Sequence, residues 1–316
     1  SSSNYKAFIE TMLTQSKSAL ETGLESVFSY PDEEDKYNNM TRNGNSGFTK
    51  RFRRVTGSKD FEMMGPIFAD FLRSDKHLAP GNKLTIRLNK ARDSFLLNSK
   101  VANENYELVI KDIRLYYTRI RLLDSIKHPP AERYIYVKSE VKKHPIPANM
   151  TRYTIPLHTS GPMPKSVTIA QVETAALEGA YDKNPFYFPH YDISYLCLYV
   201  NGIRVPSEPY TPNFNKNKEL VVREFANIFM NTGKDGISET NAINLQTFID
   251  GITIFPFDLT PDMCNGTHMH LSEPGTITID IGWRNKLPES MTLITHCTFD
   301  EVLQKTAGNM FEQKLL

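Results

Sequence analysis

Hydrophobic and polar positions along the chain follow two rhythms. Near the start, Phe8, Ile9, Met12, Leu13 and Leu20 fall at helical spacing between Asn4, a good N-cap, and Gly23, a good stop, which predicts a helix over 4–22. A polar stretch with an acidic run at 32–35 follows and reads as a loop. Then the period drops to two. The segments 61–72, 83–90, 93–97 and 106–122 read as strands, the last with phase slips near Asp112 and Tyr117 that predict bulges. Pro129 and Pro130 inside "KHPPAE" (127–132) mark a boundary, because two prolines in a row continue neither regular element.

Beyond that boundary the strand signals are short and regular, at 133–138, 151–157 and 165–172. In "YLCLYVNGIRVP" (195–206), Asn201-Gly202 between β-forming residues predicts a two-residue hairpin turn, and apolar residues on both faces of "YLCLYV" predict a strand covered on both sides. Helical spacing returns at 219–233 through Val222, Phe225, Ile228 and Phe229. Strands follow at 252–259, at 276–283 with Ile277, Ile279, Ile281 and Trp283 inward, and at 291–299, the expected neighbour of 276–283.

The order of elements repeats. A helix, a strand and a strand pair (4–22, 61–72, 83–97) are echoed by a helix, a strand and a strand pair (219–232, 252–259, 276–299). The second set is preceded by about four strands and the first by none. The expected fold class is therefore all-β: a tandem double jelly roll with a few short helices in long loops, the first jelly roll incomplete at its N-terminus. Residues 1–128 would form the C-terminal part of the first jelly roll and 129–316 the second. The chain also opens in mid-pattern without an initiator Met, which reads as a start in mid-protein.

Composition fits this picture. Of 316 residues, 40% are apolar, and 18 Phe and 15 Tyr favour strands. A formal net charge of +1 removes any global electrostatic case for nucleic acid or a membrane surface, and no apolar stretch reaches membrane-spanning length. Three cysteines make no disulfide framework and read as reduced thiols.

Three long stretches, "NPFYFPHYDISYLCLYVNGIRVPSEPYTPNF" (184–214), "FPFDLTPD" (255–262) and "GTITIDIGWRNKLPESMTLITHCTFDEVL" (275–303), resemble the double jelly-roll, hexon-like major capsid proteins of Polinton/Maverick elements and adintoviruses, including endogenised invertebrate copies. "YKAFIETML" (5–13), "GFTKRFRRVTGSKDFEMMGPIFADF" (47–71) and "LTIRLNKARDSFLL" (84–97) carry the resemblance into the first half. It implies homotrimers with pseudo-hexagonal outlines that tile an icosahedral shell alongside penton and minor capsid proteins, a virion location, and assembly inside a host cell. It brings no active site and no cofactor. Such proteins carry a further segment before the first helix, in line with the missing opening strands. The tract "MCNGTHMHLSEP" (263–274) departs from the family's shorter glycine-rich one.

That tract holds the best candidate chemistry. Cys264, His268, His270 and Glu273 follow Asp258 and Asp262. Zinc would draw three ligands from Cys264, His268 and His270, but no second Cys/His pair is nearby, and His296 and Cys297 on one strand point to opposite faces. A cupin-like, metal-dependent jelly-roll enzyme would use His268, His270 and Glu273, since two His at i and i+2 share a strand face. The spacing to Glu273 is a residue short of that motif, and Asp262 stands where it has glycine. Turn-forming pairs on both sides favour a solvated loop, and Asp258 or Thr260 is expected to cap backbone N–H groups in "DLTPD". Catalytic, cofactor and metal sites are therefore expected to be none. Lys50, Arg51, Arg53 and Arg54 form a basic cluster that could touch packaged DNA, though a solvated or interface loop fits it better. Cys197, in an apolar run without a neighbouring charge, reads as a core thiol. A domesticated or receptor- or glycan-binding β-sandwich is a further alternative.

Overall fold

The tightest local signal sits at the centre of the fold. Strands β4 (Ile193–Val200) and β5 (Ile203–Tyr210) pair antiparallel across Asn201-Gly202, whose φ angles of 49° and 83° are both left-handed, as a type I′ turn requires. Each further pair wraps outside the last. β3 (Ser166–Glu173) pairs with β6 (Ile254–Asp258), β2 (Arg152–His158) with β7 (Ile277–Trp283), and β1 (Arg133–Ile146) with β8 (Met291–Lys305). This is one long hairpin of four strand pairs, rolled so that alternate pairs fall in opposite sheets. The resulting sheet orders, β1-β8-β3-β6 and β2-β7-β4-β5, are those of a complete jelly roll. A short β9 (Phe311–Leu315) returns along the end of β8. The computed structural model describes the chain except residues 1, 75, 81, 103, 122, 124–131, 216, 218, 264–269, 271–272, 306–310 and 316.

The inner faces make the core. Ile277, Ile279, Ile281 and Trp283 are buried as their alternation predicts, with Leu196 and Leu198 facing them. Leu196, Cys197 and Leu198 are consecutive and all fully buried, so β4 is covered on both sides. The indole N–H of Trp283 donates to Gln171 Oε1 at 3.2 Å, and the Gln171 amide donates to the Pro189 carbonyl at 2.7 Å, so this buried polar pair is satisfied.

Six expectations need correcting. The helix expected over 4–22 is two helices, α1 (Ser2–Thr14) and α2 (Lys17–Leu20), because the Ser16 hydroxyl caps Ala19 N–H and starts a new one. The strand at 291–299 is not beside that at 276–283: β8 lies in one sheet and β7 in the other, since the roll sends sequence neighbours to opposite layers. Residues 61–69, 83–90 and 106–121 run without any ladder among the described residues, and 70–73 is a 3₁₀ turn. The stretch 93–97, expected as a hairpin strand, holds the short helix α4 (Asp93–Leu96), where Asp93 binds both Lys90 Nζ, at 2.8 Å, and the backbone N–H of Leu108, at 2.9 Å. A strand needs a neighbour for its backbone groups; here side chains take that role. Helix α3 (Ser46–Val55) follows the acidic loop, and α5 (Thr174–Glu178), α6 (Val222–Met230) and α7 (Leu245–Asp250) fill loops of the sandwich. Most of the 127–132 boundary lies outside the described residues.

At Gly202 an added Cβ would meet nothing within 4 Å, so Gly202→Val should destabilise through backbone conformation alone, by about 1–2 kcal/mol. Thermal unfolding of the variant checks this; an unchanged midpoint would mean that the turn does not hold the hairpin.

Candidate functional site

Of the candidate ligands, Asp258, Asp262, His270 and Glu273 are among the described residues. Asp258 is buried, and its Oδ1 accepts from the N–H and the hydroxyl of Thr260 at 2.9 and 2.7 Å, the capping turn expected of "DLTPD". His270 Nε2 lies 3.5 Å from Asp262 Oδ1, while Glu273 is exposed and its carbonyl accepts from Met163 N–H at 3.0 Å. Cys264 and His268 lie outside the described residues. Among the described residues no group of three or more His, Cys, Asp or Glu side chains is gathered as a metal would need.

The basic cluster is partly committed to holding its own loop. Arg51 donates to the Tyr30 carbonyl at 2.6 Å and pairs with buried Asp32 at 2.5 Å. Arg54 bonds the Tyr30 hydroxyl at 3.2 Å and lies over the Phe28 ring, and Lys50 lies over the Tyr30 ring. These contacts fasten α3 to the loop before it.

Cys197 and Cys297 are both buried free thiols in different settings. Burial pushes the Cys297 thiol up to about 12, which makes it inert. Cys197 shares the outer face of its sheet with Tyr195, whose hydroxyl is 3.3 Å from its sulfur. Arg152, bound to Asp280 through two hydrogen bonds, lies over the Tyr195 ring on the same face.

The most heavily built polar cluster was not visible in the sequence. Helix α1 lies across β1 and β8 with Tyr5 and Ile9 buried among sheet residues. On that buried face Glu10 Oε1 accepts from Ser139 Oγ at 2.9 Å and lies 3.3 Å from His296 Nε2, and Oε2 accepts from Arg73 at 2.6 Å. One turn earlier Lys6 pairs with Asp70, which also accepts from the Ser139 N–H at 2.9 Å. Glu10 and His296 are 286 residues apart. The available signal was Lys6 and Glu10 standing on the same helical stripe as Ile9 and Leu13. Burial opposes the Glu10 charge, but hydrogen bonds from His296 and Ser139 and the charge of Arg73 outweigh it and hold the carboxyl below its ordinary range. A second cluster, Lys183 with Glu173 and Glu289 and the Tyr191 hydroxyl on both carboxylates, ties the loop after β3 to the β7–β8 turn. Both clusters join separate elements of the chain.

An apolar run is open to a partner. Val109, Ile113 and Tyr117 are 64%, 59% and 79% exposed, within a run that also exposes Ile110, Leu115, Tyr116 and Ile120. It is anchored where Tyr181 donates to the Tyr106 carbonyl at 3.0 Å and Lys111 pairs with Asp60 at 2.7 Å. Met63, Met64 and Leu88 add to the exposed apolar surface. Surface of this kind marks interaction sites. Among the described residues no helix is long and apolar enough to cross a membrane.

No family model matches the chain. An uncharacterized protein of Caenorhabditis elegans is 21% identical over 312 residues, 94% of this chain and 71% of that protein. Among solved structures the chain is similar to the mavirus major capsid protein, at 9% identity and a TM-score of 0.33 over 60% of this chain and 42% of that one. It is similar to the PBCV-1 virus capsid at 9% identity and a TM-score of 0.33, over 59% and 52%. It is similar to the Sputnik virophage structure at 12% identity and a TM-score of 0.35, over 61% and 40%. The chain thus spans about half or less of each capsid chain's length. The strand order of its own two sheets, rather than these overlaps, carries the fold assignment.

Because the Glu10 pKa is depressed in the folded chain, its stabilisation is present above the ordinary carboxylate value and is lost as pH falls through the folded value. The protection of α1 amides, taken relative to their intrinsic exchange rate at each pH, should therefore fall on acidification. Glu10→Gln should flatten that dependence and cost about 2 kcal/mol at neutral pH. An α1 equally protected at both pH values would show that this cluster does not fasten the helix.

Proposed function

We propose that the chain is part of a major capsid protein of the double jelly-roll kind, whose work is shape rather than chemistry. Residues 129–316 would be the second jelly roll, and residues 1–128 the closing part of a first whose opening strands come from further protein. The observation that carries this reading is the run 106–121: strand-like in its alternation, apolar, exposed, and without a ladder among the described residues, in a chain whose eight jelly-roll strands each have a partner. Such a run is expected where more sheet or another copy must be added.

In this reading copies associate as homotrimers with pseudo-hexagonal outlines and then tile an icosahedral shell in a virion, with penton and minor capsid proteins as further partners. The resemblance to Polinton/Maverick and adintovirus capsid proteins, including endogenised copies, gives the lineage. Of the basic cluster, Lys50 and Arg53 are the members better placed to reach packaged DNA, because Arg51 and Arg54 are bound to Asp32 and Tyr30.

Obligate association of this kind buries well above about 2,000 Å². Light scattering at high protein concentration should give the mass of three chains, and Val109→Asp with Ile113→Asp should return single chains that keep the parent's β-sheet circular dichroism but unfold at a lower temperature, since they lose the stabilisation of association. A strictly monomeric parent at every concentration would overturn the reading.

A further inference from the structure

β1 is the edge strand of its sheet and is fourteen residues long. A long open edge is a template for pairing with another chain. Here it is not open. The Arg133 carbonyl accepts from Lys76 Nζ at 3.1 Å, the Ile135 carbonyl from Ser74 Oγ at 3.2 Å, and the Ser139 N–H donates to Asp70 Oδ2 at 2.9 Å. These groups point away from β8, as alternate residues of an antiparallel edge must. Their partners keep one register: as the covering segment advances from 70 to 74 to 76, β1 recedes from 139 to 135 to 133. Residues 70–74 and Lys76 therefore lie where a further antiparallel strand would lie, but bind through side chains. Phe71 packs edge-on against the Tyr134 and Tyr136 rings at 5.3 and 6.1 Å, and the Asp70 and Arg73 pairs with Lys6 and Glu10 fix the strap at its start.

We propose that the outer edge of β1 is a self-association surface for β1 of a second copy of this chain, and that a strap bound through Asp70, Ser74 and Lys76 keeps it shut. The occupant follows from the strand itself. With two copies antiparallel and centred on Ser139, the outward backbone groups of the two strands face each other. Lys138 then stands opposite the second copy's Glu140, twice by symmetry, and Val137 opposite Val141. Pairing would run the two sheets into one. The strap thereby steers copies away from edge-to-edge joining and towards contacts through their faces. This role is independent of the capsid reading, since it would serve any jelly roll that must meet its own copies.

The test opens the edge and then blocks it. Asp70→Ala with Ser74→Ala frees the Ser139 N–H, at the centre of the pairing, and the Ile135 carbonyl. It should raise the apparent self-association constant in sedimentation velocity by about tenfold or more. Adding Val137→Pro removes an outward N–H that β8 does not use, a substitution an edge strand tolerates, and should abolish the gain. Val137→Lys, which keeps the N–H and adds charge, should do the same and serves if the proline variant unfolds. A double alanine variant that sediments as the parent does would overturn the proposal. So would association that persists with both Val137 substitutions. Parent trimers, read in the same runs, report on the capsid assignment separately, because neither Val137 substitution should affect them.

Discussion

The pairing of β1 with β8 closes the roll, and the rest of the molecule hangs on it. Fourteen consecutive residues match without a register shift, from Arg133 opposite Gln304 to Ile146 opposite Met291. These two strands are the ends of the jelly roll, so every inner pair is held within their span. Their outer face is also the floor on which α1 lies, through His296 on β8 and Ser139 on β1. Ser74 and Lys76 of the strap are fixed to the edge of the same pair. One ladder thus seals the sandwich, docks the first helix and sets where another chain could join.

Polar groups buried around this ladder work as fasteners. Glu10 is shared among Ser139, His296 and Arg73, and Asp70 between Lys6 and a backbone N–H, so each carboxylate joins separate elements of the chain. Such clusters hold long loops to a sandwich without needing apolar volume. They hold Asp70 and Arg73 of the strap against α1 and β1.

Much of the second half was legible because its signals are local. Asn201-Gly202 marks a turn by φ alone, and the alternation of Ile277 to Trp283 marks a buried face. Alternation says which way a side chain points, not which strand is next, so β7 and β8 read as neighbours when the roll separates them. The same limit applies to 106–121, whose pattern is that of a strand although no described strand lies beside it. The break at Ser16 needed cap geometry, and the Glu10–His296 contact joins opposite ends of the chain, where no local pattern reaches. In the candidate metal tract, Asp258 behaves as a turn former, in keeping with the Thr and Pro that follow it.

The central claim is that the apolar run after Tyr106 exists to be covered by further protein. Hydrogen exchange of residues 109–121, compared between dissociated chains and the assembled oligomer, tests it most directly. The account predicts fast exchange in the single chain and strong slowing in the assembly, as backbone groups without a ladder gain one. Equal rates in both states would contradict it.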